Sequence, residues 1–96
     1  MSHVTVVAKL VVREDAVDAV KGELLKLIAP TRQEEGCIDY RLHQDNADPT
    51  VFIFYETWDG MASLERHLTA THYRHYTAAV GGAVVEKVVH RMTCIA

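Results

Sequence analysis

Cysteine is scarce in this chain. Its two thiols, Cys37 and Cys94, are too few to staple a secreted fold. Both are expected as free thiols on strands, and no basic helper stands beside either to make it a reactive thiolate. The two prolines and five glycines form no linker or low-complexity tract, and no segment repeats. No apolar run approaches the roughly 20 residues that a membrane span needs. The start, Met1-Ser2-His3-Val4, has no basic region leading into an apolar stretch, so no signal peptide is expected. Cys94 stands third from the end, where a prenylation box needs it fourth. A basic stripe is missing too: 10 Lys and Arg are interspersed with 13 Asp and Glu for a net charge of −3, which argues against nucleic acid as a partner. There is no GxGxxG and no P-loop. A cytoplasmic location is the remaining expectation.

What is present is one domain's worth of chain. At 96 residues, with 49% hydrophobic content, residues 1–96 are expected to form a single domain around one core. A chain this short hides about two-thirds of its unfolded surface, so a partner that adds burial would help it. Residues 3–12 read as a strand: Val4, Val6, Ala8, Leu10 and Val12 make one apolar face, while the alternate set is mixed. The period then changes. Val17, Val20, Leu24, Leu27, Ile28 and Thr31 fall at helical spacing, with Asp15 as the expected N-cap. Pro30 should loosen the last turns and Gly36 should stop the helix in a left-handed conformation.

Residues 37–44 and 51–58 are rich in aromatic and β-branched side chains. The turn-forming Asp45-Asn-Ala-Asp-Pro-Thr50 between them makes a β-hairpin. Asp59-Gly60 opens a short helix through Leu68. Thr69-Ala70-Thr71 breaks it, a second helical piece runs from 72 to 80, and residues 84–95 read as a last strand. The order βαββαβ predicts an α+β, ferredoxin-like antiparallel sheet of order 4-1-3-2 with the helices on one face. The other face is expected to carry Phe54, Glu56 and Trp58 and to pack against a second copy, making a homodimer. In that sheet the strands bearing Cys37 and Cys94 are opposite edges, too far apart for a disulfide.

Three segments stand out: Thr31-Arg-Gln-Glu-Glu-Gly-Cys-Ile-Asp-Tyr40, Phe52-Ile-Phe-Tyr-Glu-Thr-Trp58, and Leu64-Glu-Arg-His-Leu-Thr-Ala-Thr-His72 followed by Tyr73 and Tyr76. In this order and spacing the sequence resembles the antibiotic biosynthesis monooxygenase family over essentially its whole length. The resemblance implies a dimeric α+β barrel that oxygenates an electron-rich aromatic, such as a quinol, an anthrone or a polyketide phenol, with O₂ and no bound cofactor. Deprotonation of such a substrate makes an anion able to reduce O₂ directly, and the protein binds the ring, takes the proton and steadies the anion. Isomerases that degrade autoinducers and haem-degrading enzymes look similar, and a non-catalytic binding protein could use the same scaffold.

Each candidate residue has a structural alternative. His72 and Tyr76, four apart on one helical face, are the first polar candidates for catalysis; His67, across the helix break, is the next. All could instead serve as caps or hinges. Glu56, between Phe54 and Trp58, is an orienting carboxylate or a structural one. Trp58, Tyr40 and Phe54 are cavity walls or core, and Arg41 holds a phenolate or lies on a solvated edge with His43. His67, His72 and His75 could converge on a metal, but no carboxylate lies at ligand spacing on their helix, so none is expected.

Overall fold

The structure, a computed structural model, describes residues 3–96. Met1 and Ser2, on which the signal-peptide expectation partly rests, lie outside the described residues. The elements follow the expected order: β1 (Val4–Val12), α1 (Val17–Arg32), β2 (Cys37–Gln44), β3 (Val51–Trp58), α2 (Met61–Leu68), α3 (Thr71–Val80) and β4 (Val84–Met92). The four strands form one antiparallel sheet in the order β2-β3-β1-β4, which is the expected ferredoxin-like arrangement. Among the described residues no helix is long and apolar enough to cross a membrane.

The alternation in β1 is realised in full, with Val4, Val6, Ala8, Leu10 and Val12 buried and the intervening residues only half-buried. They face α1, whose Val20, Leu24 and Leu27 are at most 2% exposed. Burial of side chains of this size contributes about 1.5–3 kcal/mol each. Pro30 lies inside α1, yet the helix continues to Arg32, and the Gln33 amide returns to the carbonyls of Pro30 and Thr31. The Arg32 guanidinium donates to the Tyr40 carbonyl at 2.9 and 3.1 Å, tying the helix end to β2.

Three expectations are corrected. Phe54, Glu56 and Trp58 do not lie on the open face. The β1–β3 register pairs them with Ala8, Val6 and Val4, and all three are buried beneath the helices. Side chains at paired positions share a face, so this set had to follow the core face of β1. The open face carries their neighbours instead: Tyr55 is 42% exposed, and Ile53 is half-buried. Asp15 is not an N-cap. It lies in a 3₁₀ turn, Glu14–Ala16, and accepts from Arg13 Nε at 3.1 Å. Cys94 is beyond the last strand, which ends at Met92; both cysteines are free, with Cys37 opening β2.

Candidate active site

The turn after α1 makes the site. Gly36 has φ 91°, a conformation that favours glycine, and its carbonyl accepts the Asp59 amide at 2.8 Å. A Cβ here would overlap Ser63 Oγ and stand 2.7 Å from Asp59 Oδ1. The turn is therefore pressed between the end of β3 and the start of α2, and Glu34 is carried under α2. At the other end of α2 the chain breaks: the Thr69 and Ala70 amides return to the Arg66 and His67 carbonyls. The redirected α3 brings His72 back to the same carboxylate.

Three side chains remote in sequence meet there. His67 Nδ1 lies 2.7 Å and His72 Nε2 lies 2.6 Å from Glu34 Oε2. Both distances are those of imidazole N–H donors to a carboxylate oxygen. The donor atoms all fall within 4.8 Å of one another, so the set also has the composition of a metal site. Tetrahedral ligands at about 2.0–2.2 Å would, however, hold each pair roughly 3.3–3.5 Å apart. In this structure the short contacts to one shared oxygen link the three side chains by hydrogen bonds. His75 is not part of it; it faces Glu23 of α1 at 3.5 Å.

His67 is 1% exposed and held among aromatic rings, with centroids at 4.8 Å to Trp58, 4.9 Å to Tyr73 and 5.6 Å to Tyr40. Burial lowers its pKa, which opposes the raising effect of the Glu34 hydrogen bond. With Nδ1 committed to Glu34, its Nε2 makes no hydrogen bond among the described residues, and His67 is part of the lining of a cavity. A carboxylate that fixes the proton on one imidazole nitrogen leaves the other as a lone-pair acceptor.

The cavity lies between the sheet and the α2–α3 break. Val6, Phe54, Glu56, Tyr40, Tyr73 and Tyr76 line it, and its volume is ≈ 40 Å³. That is enough for water and below the about 300 Å³ at which small-molecule sites begin. One wall is open to change. Lys87, Val89 and Arg91 also line it, from the helix-side face of the edge strand β4, where all three are exposed. Lys87 Nζ donates to Tyr73 Oη at 3.2 Å.

Glu56 is buried, and its Oε1 accepts from Trp58 Nε1 at 2.9 Å. Burial pushes its carboxyl up to about 7, with the nearby Glu34 charge adding and the Trp58 hydrogen bond opposing. It therefore exchanges protons near neutrality. Burial also raises the Tyr40 and Tyr76 phenols well above the ordinary range, so both are neutral donors.

Of the candidates taken from the sequence, Glu56, His67, Tyr40, Phe54 and Tyr76 line one cavity. Trp58 is fully buried behind His67 and is not a wall of it. His72 is on the far side of Glu34, in a surface cleft with Lys26 and Thr71. Arg41 points away: it alternates with Tyr40, pairs with Tyr55 on the open face and binds Asp39 Oδ1 at 3.0 Å. Its assignment to substrate is corrected by strand alternation. Glu34, Lys87 and Arg91 went unrecognised in the sequence. Gly36 lies in the turn after α1 rather than at its cap, which is Gln33; a carboxylate two residues before that turn glycine was the available signal for the first, and two cations spaced on one face of the last strand for the others.

The pattern of the family described as antibiotic biosynthesis monooxygenase matches residues 3–79. The chain belongs to that family. Rv0793 of Mycobacterium tuberculosis, which bears a monooxygenase name, is 36% identical over 80 residues, covering 83% of this chain and 78% of that protein. YgiN of Escherichia coli, named as a probable quinol monooxygenase, is 33% identical over 76 residues, covering 71% of this chain and 73% of that one. The crystal structure of PA3566 from Pseudomonas aeruginosa superimposes with a TM-score of 0.95 at 29% identity, covering 100% of this chain and 97% of that one. Membership makes a monooxygenase the coarse functional class, and within this family the aromatic-lined cavity is the candidate site.

Proposed function

We propose that this protein is a monooxygenase that oxidises a small electron-rich aromatic, a quinol, an anthrone or a polyketide phenol, with O₂ and without a bound cofactor. The observation that carries this is the buried His67, oriented by Glu34 through Nδ1, with Nε2 free of any hydrogen bond among the described residues, in the lining of an aromatic-walled cavity. A base kept neutral by burial suits the removal of a phenolic proton near neutral pH. The ring stacks against Tyr40, Phe54 and Tyr73, while Lys87 and Arg91 offset the negative charge that develops. The aryloxide anion gives its electrons to O₂. One oxygen atom enters the ring carbon, the other leaves as water, and a quinol becomes a hydroxyquinone, so the substrate supplies every electron.

Entry of a ring requires the ≈ 40 Å³ cavity to widen, and the β4 wall is the place where that disturbs least packing. The uncovered sheet face bearing Ile53, Tyr55 and Met92 packs against a second copy, giving a homodimer. Oxygen uptake with a reduced naphthoquinone, in chelator and without flavin, tests the activity. Consumption of one O₂ per quinol supports it. Inactivity on every quinol and anthrone, with turnover of a phosphorylated or hydroxylated carbonyl compound in the absence of O₂, would replace it with an isomerase.

A further inference from the structure

We propose that Glu34, His67 and His72 form a zinc site reached from the surface cleft between α1 and α3, and that zinc bound there switches off the base in the cavity. The effect on the base rests on the assignment of His67 to that role.

Two imidazoles and one carboxylate are a donor set that suits zinc, with water in the fourth position. A single carboxylate among nitrogen donors does not suit calcium or magnesium, which take oxygen. On an unbroken helix His67 and His72, five residues apart, would point about 140° away from each other. The break at Thr69 and Ala70 turns α3 back, so one Nδ1 and one Nε2 face the same carboxylate, and the three donor atoms lie within 4.8 Å of one another. His75, the third imidazole offered by the sequence, faces Glu23 instead, and the carboxylate comes from the turn after α1.

Around an ion the donor atoms stand roughly 3.3–3.5 Å apart, so the contacts of 2.7 and 2.6 Å must open by about 0.6–0.9 Å. Two of the ligands can supply that movement. Glu34 Oε1 accepts no hydrogen bond among the described residues, and the Glu34 and His72 side chains are 15% and 25% exposed. His67, wedged among its aromatic neighbours, is the fixed ligand. His72 lines a cleft of ≈ 390 Å³, which gives the ion a way in and water a place beside it. The cation in that cleft, Lys26, is held by Glu23 at 3.0 Å.

Neither Glu34 nor His72 lines the aromatic cavity, so the ion lies behind its wall and acts through the His67 ring. Zinc takes the lone pair of Nδ1. The one proton of the neutral ring, now on Nδ1, is then carried on Nε2 after exchange with solvent, and the number of protons on the ring is unchanged. Nε2 becomes a donor and has no lone pair left for a phenolic proton.

Titration of chelator-stripped protein with zinc in a calorimeter, and with cobalt(II) as a coloured substitute, tests the site without substrate. One ion per chain should bind, and cobalt should show the visible bands of a four-coordinate ion. Affinity should fall by at least about 10²-fold in Glu34→Gln and in His72→Ala, since loss of a mere supporting partner of a ligand already costs up to that much. His75→Ala should leave affinity unchanged. Nitrogen resonances of the His67 ring should place its proton on Nδ1 before zinc and on Nε2 after it. Absence of binding would overturn the proposal, as would equal affinity in wild type, Glu34→Gln and His72→Ala, all with native near-ultraviolet circular dichroism. Affinity lost in His75→Ala but kept in Glu34→Gln would move the ion to the cleft and overturn it too. A His67 ring that keeps its Nδ1 proton with zinc bound would do the same. None of these readouts needs turnover, so the outcome is separate from failure of the oxygenase assignment, which oxygen uptake decides.

Discussion

Replacing Glu56 with glutamine should stabilise the protein at alkaline pH and do little at acid pH. Glu56 is 5% exposed, and its carboxyl is pushed from 4.5 up to about 7. The native state therefore binds a proton that the unfolded chain has released between those values. Stability associated with this group is full below pH 4.5, falls as the pH rises to about 7, and is level above. At about 1.4 kcal/mol per pH unit, the difference amounts to about 3 kcal/mol. The glutamine amide would keep an oxygen acceptor for Trp58 Nε1 and have no charge to bury. Urea unfolding of wild type and Glu56→Gln across pH 4.5–8.5 reads the effect, since titrating groups that do not interact with Glu56 cancel in the difference. The stability difference should shift in favour of the variant by about 3 kcal/mol across that window. Parallel profiles would refute the assignment of a protonated, buried Glu56.

Gly36→Ala should cost about 3 kcal/mol or more, because the left-handed backbone and the overlap with Ser63 act together, and thermal melting checks it. Cys37 and Cys94 should remain unpaired, since Cys37 opens β2 and Cys94 follows β4, the opposite edge of the sheet, by two residues; non-reducing mass spectrometry should show no loss of two hydrogens. Arg41→Ala should leave turnover within about twofold of wild type, whereas Lys87→Ala combined with Arg91→Ala should raise KM by on the order of tenfold, as expected for lost charge-assisted contacts. Steady-state kinetics with a reduced naphthoquinone distinguishes the two.

The elements were legible because each rests on local patterns: alternation in β1, helical spacing in α1, the Asp-Pro loop of the hairpin, and the Thr69–Thr71 interruption. Which face of β3 turns inward was not legible from β3 alone. A strand's period defines two faces and leaves their direction to its neighbours, and only the register with Val4, Val6 and Ala8 settles it. The candidate site was half legible. His67, Glu56 and Tyr40 carry chemistry that attracts notice by residue type. Glu34 does not, because its position depends on one glycine turn and on partners 33 and 38 residues away. Asp15 shows the converse limit: a cap residue of the right type bonded instead to its neighbour Arg13.

The proposed activity makes His67, oriented by Glu34, the base in the cavity. The most direct measurement is oxygen uptake by His67→Gln beside its melting temperature, with a reduced naphthoquinone as substrate. The glutamine amide could still donate to Glu34 but has no basic nitrogen to offer the cavity. The expected result is a loss of about 10²–10⁴-fold in kcat with near-native melting. Turnover within a few-fold of wild type in a folded variant would contradict it and move the base to Glu56.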